Sequence, residues 1–417
     1  MPTQTRACFT SNEKDKLQTR QNPAPVLLGN LSKNESVYGR QIAFVAAFLL
    51  PMSKLLETPS LLSKYAAGDL LLPALLHFLL QGTVLGVLLF VVFKSEIPLI
   101  TRLQKGLGKT LPIFYILYAI YFIFTAILPL FDLEKFVYAA FFDTEPTVFS
   151  FGFFFLLSAF ICTKGIKAIG RCADICLFLF PLPFFALIIM SLSSTDFTRL
   201  LPIFGSKFGH TMYAFTRSTP HFSDVILLLP LLCQYQPKRE DKKKILFGYG
   251  FGALCTLIFL AVFYCTYSSL APREHYAFSK IAQYFPALSI LGRIDLIFVY
   301  LLSVVLLFFT CLPLQYAVDL FSRATHTKDY RVWLSFLLNL ALFFFLLYGN
   351  KYYNTIYQTI SGKFFVIFYF IADMVPLFLL FLPKFNENSH INSTERKAKS
   401  NTTSNAKITQ KKEQNNA

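Results

Sequence analysis

Long runs without a charged residue dominate the chain. A bilayer core about 30 Å thick needs about 20 apolar residues in a helix, and seven uncharged runs are long enough to span it. Each run therefore predicts a membrane-spanning helix. The runs are residues 70–93, 110–131, 146–163, 175–195, 245–272, 296–318 and 332–350.

Three further apolar segments carry charges or helix-breaking residues: 41–62, 208–236 and 364–383, the last of which holds Asp373. Together with the seven runs they predict an all-α integral membrane protein of about ten transmembrane helices, in a domain at residues 39–383. Residues 1–38 form a polar N-terminal tail. Residues 384–417 are basic and rich in Asn, Ser, Thr and Gln, so we expect a disordered tail there.

The stretch FLLPMSKLLETPSLL (48–62) combines an apolar background with two prolines, a lysine and a glutamate. Pro51 and Pro59 each remove an amide donor and obstruct the preceding turn, so the helix should break between them. At membrane depth, a break is tolerated where the freed backbone groups are buried in protein or line a polar cavity. We therefore expect residues 52–58 to form part of a site.

A second span has the same character. GSKFGHTMYAFTRSTPHFSDVILLLP (205–230) places small, polar and titratable residues around Pro220 inside an apolar segment. The two breaks fall in the first and sixth of ten spans. This position is typical of transporters with a 5+5 inverted repeat, in which the substrate binds between discontinuous helices 1 and 6. No convincing residue-level repeat accompanies the breaks, so the expectation rests on where they fall.

Positive charge in the loops predicts the orientation, because cytoplasmic loops retain Lys and Arg. With the N-terminus inside, the inner loops hold 15 Lys and Arg and the outer loops 10. Both termini are therefore expected in the cytoplasm, and the acidic residues between 132 and 145 in an outer loop. Residues 1–40 contain no apolar run typical of a cleavable signal peptide.

The net charge of +16 is spread over many loops. This distribution argues against a nucleic-acid-binding surface and favours contact with anionic membrane lipids. The sequence contains no P-loop, G-x-G-x-x-G, G-x-S-x-G or H-E-x-x-H motif. Seven of the eight cysteines lie in or beside apolar helices and none forms a C-x-x-C pair, which is typical of small apolar filler. We expect no enzyme, metal or cofactor.

The start of the membrane domain, GRQIAFVAAFLLPMSKLLETPSLLSKYAAGDLLLPALL (39–76), resembles that of the B subunits of spore germination receptors. These bacterial permease-like proteins belong to the amino acid, polyamine and organocation transporter superfamily. The resemblance rests on Gln41 in the first helix, the step from Thr58 to Pro59, and a turn at Gly68 and Asp69. Three later stretches agree: TKGIKAIGRCADI with Gly165 and Arg171, DFTRLLPIF with Pro202, and LGRIDLIFVY with Arg293 and Asp295.

The resemblance covers residues 39–383 and implies a function. Members of the family take part in sensing nutrient germinants, commonly amino acids, in the inner membrane of the endospore. They act with a larger A subunit and a lipid-anchored C subunit. The chain departs from the family at residues 51–54, where many members have glycines, and at Asp224, where Glu is more usual. These departures concern the ligand and any ion coupling more than the fold.

Lys54 and Glu57 admit two interpretations. On an intact helix they are three residues apart and could pair across one turn. If the break separates them, Lys54 could act as a fixed cation or bind a ligand carboxylate, while Glu57 titrates or binds an amine. A zwitterionic amino acid would suit such a site. With Pro51, Ser53 and Thr58, they form the first half of the predicted ligand site.

The other half consists of polar residues at the second break: Thr219, His221 and Ser223. His221 and Asp224 could form a local pair that fixes the break, or a proton-sensitive contact with the ligand. Glu57, Asp224 and Asp373 are the candidates for ion or proton coupling. An acidic residue within a span is costly unless it faces a partner or a cavity.

Arg293 and Asp295 lie at the predicted outer end of span 8 and are candidates for gating. A charged pair at such a position more commonly anchors the end of the helix. Three tyrosines recur at helical spacing in the third span, where packing is a commoner role than ligand lining: Tyr115, Tyr118 and Tyr121. The external segment APREHYAFSKIAQYFPALSILG (271–292) could close the site as a lid or lie in the interface as an amphipathic helix.

Two functions remain open. The family resemblance favours the permease-like subunit of a germinant receptor, which binds a small nutrient between helices 1 and 6 and signals by conformational change. The alternative is a proton-coupled amino acid transporter of the vegetative cell membrane with the same fold.

Overall fold

The computed structural model describes residues 37–95, 98–141, 147–201, 205, 207–223, 225–283, 295–325, 330–360 and 362–379. All regular structure in these ranges is helical. Within them, five helices are long and apolar enough to cross a membrane, and three shorter helices are also apolar. Residues 1–36 and the whole C-terminal tail lie outside the described residues, as do Asp224 and Arg293.

The helices up to the second predicted break are α1 (Gly39–Met52), α2 (Thr58–Ala66), α3 (Leu71–Phe93), α4 (Leu99–Leu107), α5 (Leu111–Phe141), α6 (Thr147–Thr163), α7 (Ile166–Leu179), α8 (Pro181–Ser191) and α9 (Phe208–Phe222). Those that follow are α10 (Val225–Gln234), α11 (Asp241–Tyr267), α12 (Ala277–Gln283), α13 (Asp295–Ala324), α14 (Arg331–Gly349), α15 (Tyr353–Ile360) and α16 (Lys363–Phe378).

The predicted break in the first span is present. α1 ends at Met52, residues 53–57 are not helical, and α2 begins at Thr58. Pro59 lies in the first turn of α2, where its missing amide would have no helical partner in any case. Upstream of the break, Val45–Leu49 form a π-helical turn, a local distortion that is frequent at functional sites.

The sixth span is also interrupted. α9 ends at Phe222 and α10 begins at Val225. Between them, Ser223 has φ −80° and ψ 56°, which lies outside the helical region. Pro220 in the last turn of α9 supplies no amide for helix bonding, so the chain is weakened just before the break.

Three helix limits differ from the sequence prediction. α5 continues to Phe141, so Asp132 and Glu134 lie on a helix and the prediction of an outer loop there was wrong. α7 begins at Ile166, which places Arg171 inside a helix. The fifth span is divided in two at Pro181, which opens α8. The prediction ended the third span at a charged residue, but Asp132 and Glu134 find partners in Tyr353 and Asn350, and α5 continues through them.

A regular pattern of helix pairs builds the core. The most extensive contacts pair α5 with α13 and α6 with α14. α1 packs on α11 and also touches α7, while α9 packs on α2 and α3 and touches α16. The interior that results is mainly apolar, with buried polar and charged side chains among the apolar ones.

Glycines allow α11 to lie directly against α1. A Cβ atom at Gly248 would be 2.5 Å from the carbonyl oxygen of Ala43, and one at Gly252 would be 2.7 Å from that of Ala46. Real Cβ atoms do not approach backbone oxygens so closely. The contact therefore requires glycine at both positions.

The outward face of α14 is apolar. Its exposed side chains include Trp333, Leu337, Leu340, Phe344 and Tyr348. Exposure of such an apolar stripe to water would be costly, whereas an apolar surface facing lipid is normal. Together with the five long apolar helices, this surface indicates a membrane protein.

Candidate functional site

Lys54 is a fully buried cation at the first break. Its Nζ donates to the carbonyl oxygen of Leu50 and to the hydroxyl of Ser53, both at 3.2 Å. The same ammonium lies 5.2 Å from the centre of the Phe222 ring at the end of α9. Cations are attracted to aromatic faces at this range, so Lys54 connects the first break to the second.

The side chain of Glu57, also at the first break, contacts a different part of the molecule from that of Lys54. Its Oε2 accepts a hydrogen bond from the Tyr353 hydroxyl of α15 at 3.3 Å, and Asp132 Oδ1 of α5 lies 3.4 Å from the same hydroxyl. His275 Nδ1 is 4.0 Å from Glu57 Oε1. The break thus separates Glu57 from Lys54, in agreement with the second geometrical interpretation of this pair. The ligand contacts of both residues remain a prediction.

The backbone of α12 binds the unwound segment of the first break. The amide of Ala277 donates to Leu56 O at 3.0 Å, and that of Phe278 donates to Leu55 O at 3.1 Å. The turn into α12 passes through Tyr276, whose φ of +59° is unusual for a residue with a side chain. Burial and the nearby carboxylates raise the pKa of the Tyr276 hydroxyl above its usual value. The predicted lid segment therefore contacts the break directly, and its movement remains a prediction.

Two predicted ligand residues carry buried polar atoms that have no hydrogen-bond partner among the described residues. They are Thr58 Oγ1 at the start of α2 and His221 Nε2 in the last turn of α9. The ammonium of Lys54 is within electrostatic range of His221. An unsatisfied buried polar group costs about 1–3 kcal/mol. A bound ligand that paired with these atoms would remove that cost.

Asp373 of α16 joins two helices at the second break. Gln81 Nε2 of α3 donates to its Oδ2 at 2.6 Å, and Ser223 Oγ donates to its Oδ1 at 2.8 Å. The side-chain oxygen of Gln81 also accepts from the amide of Val225 at 3.3 Å, at the start of α10. Tyr121 Oη lies 2.7 Å from Ser223 Oγ and donates to it, because Ser223 uses its own proton on Asp373. These contacts fix the interrupted backbone between α3, α5 and α16.

His77 supports the end of α9 from the same side of α3. Its Nε2 lies 2.8 Å from Phe215 O and 3.1 Å from Ser218 Oγ. Its ring stacks on Phe215 and Phe222, with centroids 4.0 and 4.5 Å apart. The Phe222 ring thus contacts both His77 and the ammonium of Lys54.

Three other predicted ligand residues have local contacts. Pro51 is buried in the last turn of α1. Ser53 Oγ donates to a carbonyl of that turn at 3.2 Å, and Thr219 Oγ1 donates to a carbonyl one turn earlier in α9 at 3.1 Å. These bonds already satisfy the two hydroxyl protons.

Asp295 is the first residue of α13. Its predicted partner Arg293 and the coupling candidate Asp224 lie outside the described residues. The pairs Arg293–Asp295 and His221–Asp224 therefore remain predictions.

Sequence reasoning did not identify His77, Gln81 and Tyr353 as part of this region. His77 and Gln81 are four residues apart in an apolar run, and such a polar pair on one face of a membrane helix is a signal that could have been used. Tyr353 and Asp132 reach Glu57 from separate helices, and no sequence spacing indicates that contact.

The two breaks bring together a buried ammonium, two polar atoms without a partner among the described residues, an aromatic face and, at the far end of the first break, carboxyl groups. In the part of the chain that the structure describes, no group of three His, Cys, Asp or Glu side chains is placed to hold a metal ion.

Comparison with protein families gives a match over most of the chain. The model of a family described as spore germination proteins matches residues 74–354, about two thirds of the 417 residues. The match begins in α3 and ends in α15, so it covers the second break and leaves out the first break and α16. The curated proteins gave no match to the chain.

Proposed function

The chain belongs to the family of spore germination proteins, and we propose that it is the permease-like subunit of a nutrient germinant receptor. It binds a small molecule, with an amino acid as the best fit, between the two helix breaks and signals by a change of conformation. The observation that carries this proposal is the presence of Thr58 Oγ1 and His221 Nε2, buried and without partners among the described residues, one at each break.

A zwitterion matches the charges around the breaks. A ligand carboxylate would be attracted to the buried ammonium of Lys54 and could accept from Thr58 Oγ1 and a protonated nitrogen of His221. A ligand amine would be favoured on the side of Glu57, where carboxyl groups gather. This is the polarity expected of an amino acid lying along the first break.

The proposal includes ten membrane spans in a 5+5 inverted repeat. The first five spans are α1–α2, α3, α5, α6 and α7–α8, and the second five are α9–α10, α11, α13, α14 and α16. If a two-fold axis relates the two halves, each contact between spans should recur between their counterparts. In support, span 1 packs on span 7, and its counterpart, span 6, packs on span 2. Spans 3 and 4 pair with their own counterparts, spans 8 and 9.

The loop charges support the proposed orientation, and the family supports the proposed partners. Both termini are placed in the cytoplasm, because the loops on that side carry more Lys and Arg. α12 then lies on the outer side, where a germinant would arrive. The proposed partners are an A subunit and a lipid-anchored C subunit, and the proposed location is the inner membrane of the endospore.

Signalling requires that the ligand bind one conformation more tightly than another. The first break contacts α12 through its backbone and, through Glu57, Tyr353 of α15. A ligand that draws the two breaks together would change both contacts. The shift could then reach partner subunits at the outer surface.

Binding measurements test the proposal. The full-length protein in nanodiscs is titrated with a panel of radiolabelled L-amino acids. We expect Thr58→Val and His221→Leu each to weaken binding by roughly tenfold or more, because each loses a hydrogen bond to a charged ligand group. Thr216→Val is the matched control, since Thr216 is exposed on α9 and bonds its own helix. Equal affinities in all variants, or no binding by the unaltered protein, would contradict the proposal.

The alternative, a proton-coupled amino acid transporter of the vegetative membrane, is favoured by one observation. The Tyr353 hydroxyl lies between the carboxyl groups of Glu57 and Asp132, so two acidic side chains come together beside the first break. In proteoliposomes, a transporter should show uptake driven by a pH gradient that Glu57→Gln abolishes. A receptor should show no uptake before or after the change.

A further inference from the structure

A separate cavity lies where α5 begins and α13 ends. It is partly open, and its walls are supplied mainly by α4, α5, α10 and α13. None of the described ligand candidates at the breaks lines it. Most of its wall is apolar, with Leu103 and Phe114 as examples, while Tyr115, Asp319 and Arg323 add polar groups.

Positive charge exceeds negative charge at the edge of this cavity. Arg323 Nε lies 2.7 Å from Asp319 Oδ2, and Arg331 Nη1 lies 3.2 Å from Asp319 Oδ1. Arg331 is fixed by further bonds to the carbonyl oxygens of Cys162 and Lys164, at 3.4 and 2.9 Å. The terminal nitrogens of Arg323 make no bond to any described residue. Two guanidinium groups and one carboxylate therefore leave a net positive charge with available donors.

Tyr115 adds a second donor. Its side chain is buried, and its hydroxyl has no hydrogen-bond partner in the described chain. It lies within electrostatic range of Arg323 and Asp319. A guanidinium and a hydroxyl that can both donate, facing an apolar wall, form the usual recognition pattern for a small anion with an apolar tail.

We propose that this cavity is a second binding site, which takes a small aliphatic carboxylate, either free or as the carboxylate of an amino acid. Arg323 and Tyr115 hold the carboxylate, and the tail packs on Leu103 and Phe114. The site is independent of the one at the breaks. Tyr118, one turn along α5 from Tyr115, connects this region to α16 by donating to Ala372 O at 3.3 Å.

Three probes of one shape identify the recognised group. Leucine, 4-methylpentanoate and 3-methylbutylamine share a branched tail. Leucine carries both an ammonium and a carboxylate, 4-methylpentanoate carries only the carboxylate, and 3-methylbutylamine carries only the ammonium. Each is titrated against the full-length protein in nanodiscs by isothermal calorimetry. We expect 4-methylpentanoate to bind and 3-methylbutylamine to fail. Leucine binding that falls in Tyr115→Phe and persists in Thr58→Val would identify an amino acid as a natural source of the carboxylate.

The variants are chosen so that the fold is kept. Tyr115→Phe removes the hydroxyl alone, and Arg323→Gln leaves Asp319 paired with Arg331. Each should weaken binding of 4-methylpentanoate roughly tenfold or more. Tyr316→Phe is the matched control, because Tyr316 is also buried, its hydroxyl has no partner among the described residues, and it does not line the cavity.

Thr58→Val separates this inference from the proposed function. The second site is supported if 4-methylpentanoate binding falls in Tyr115→Phe and Arg323→Gln but persists in Thr58→Val and Tyr316→Phe. It is overturned if 4-methylpentanoate does not bind, or if Tyr115→Phe binds it unchanged. Either of those results leaves amino acid binding at the breaks to stand or fall on its own measurements.

Discussion

Asp373 shows how one residue can organise a break in a membrane helix. A carboxylate at this depth is costly unless hydrogen bonds surround it. Gln81 and Ser223 donate to its two oxygens, and Gln81 also holds the amide of Val225 where α10 begins. One amide side chain therefore satisfies both a buried charge and a freed backbone group.

Gln81→Leu should lower the free energy of unfolding in detergent by roughly 1.5–3 kcal/mol. The change removes a hydrogen bond to a buried charge and leaves the amide of Val225 unpaired. Chemical denaturation followed by intrinsic fluorescence measures the loss. Gln104→Leu, at an exposed position on α4, is the control and should change stability by less than about 0.5 kcal/mol. Similar values for the two variants would show that the contact with Asp373 is not stabilising.

At the level of helices, the contact between α1 and α11 shapes the region before the first break. The π-helical turn at Val45–Leu49 lies against the glycine face of α11. Because carbonyl oxygens of α1 face the glycines directly, the position of α1 depends on backbone contact more than on side-chain interlocking. Any added atom at this face must displace one helix.

Gly252→Ala should destabilise the protein by roughly 1–3 kcal/mol, the usual cost of overpacking. Its new Cβ would meet Ala46 O at 2.7 Å. Gly250→Ala, on the same helix with open space around it, should be neutral or slightly stabilising, since alanine favours helix. Thermal unfolding of the two variants in one detergent gives the comparison. A stable Gly252→Ala protein would mean that α1 yields easily at this point.

The hydrophobic pattern predicted the helices and both breaks well, because each depends on local chemistry. Proline and buried polar residues mark Met52 to Thr58 and the end of α9 regardless of the neighbouring helices. The limit of α5 failed for the opposite reason. Asp132 and Glu134 lie on a helix whose surroundings supply Tyr353 and Asn350 as partners, and those partners are distant in sequence.

For the whole molecule, the proposed orientation can be tested with two lysines. Lys207 and Lys238 are both exposed, on either side of the sixth span. In intact cells, with the eight native cysteines replaced, a membrane-impermeant maleimide should label Lys207→Cys and not Lys238→Cys. The reason is the excess of Lys and Arg on the inner side. The reverse labelling would place both termini outside.

Only part of the candidate site was accessible to sequence reasoning. Lys54, Glu57 and His221 were identifiable because charged or titratable residues in an apolar span need a reason. Their neighbours Tyr353, Asp132 and Gln81 depend on how distant helices meet. The partners of Asp373 belong to this second kind, since Gln81 comes from α3 and Ser223 from the break between α9 and α10.

The two backbone hydrogen bonds from α12 to the first break can be followed directly by hydrogen exchange. Apart from proline, no side-chain substitution removes the amides of Ala277 and Phe278 or the oxygens of Leu55 and Leu56. Exchange of these two amide hydrogens with deuterium therefore reports opening of the break without any label or mutation. We expect both to exchange slowly, and a ligand that closes the site should slow them further. Fast exchange, unchanged by ligand, would show that α12 is not a closure.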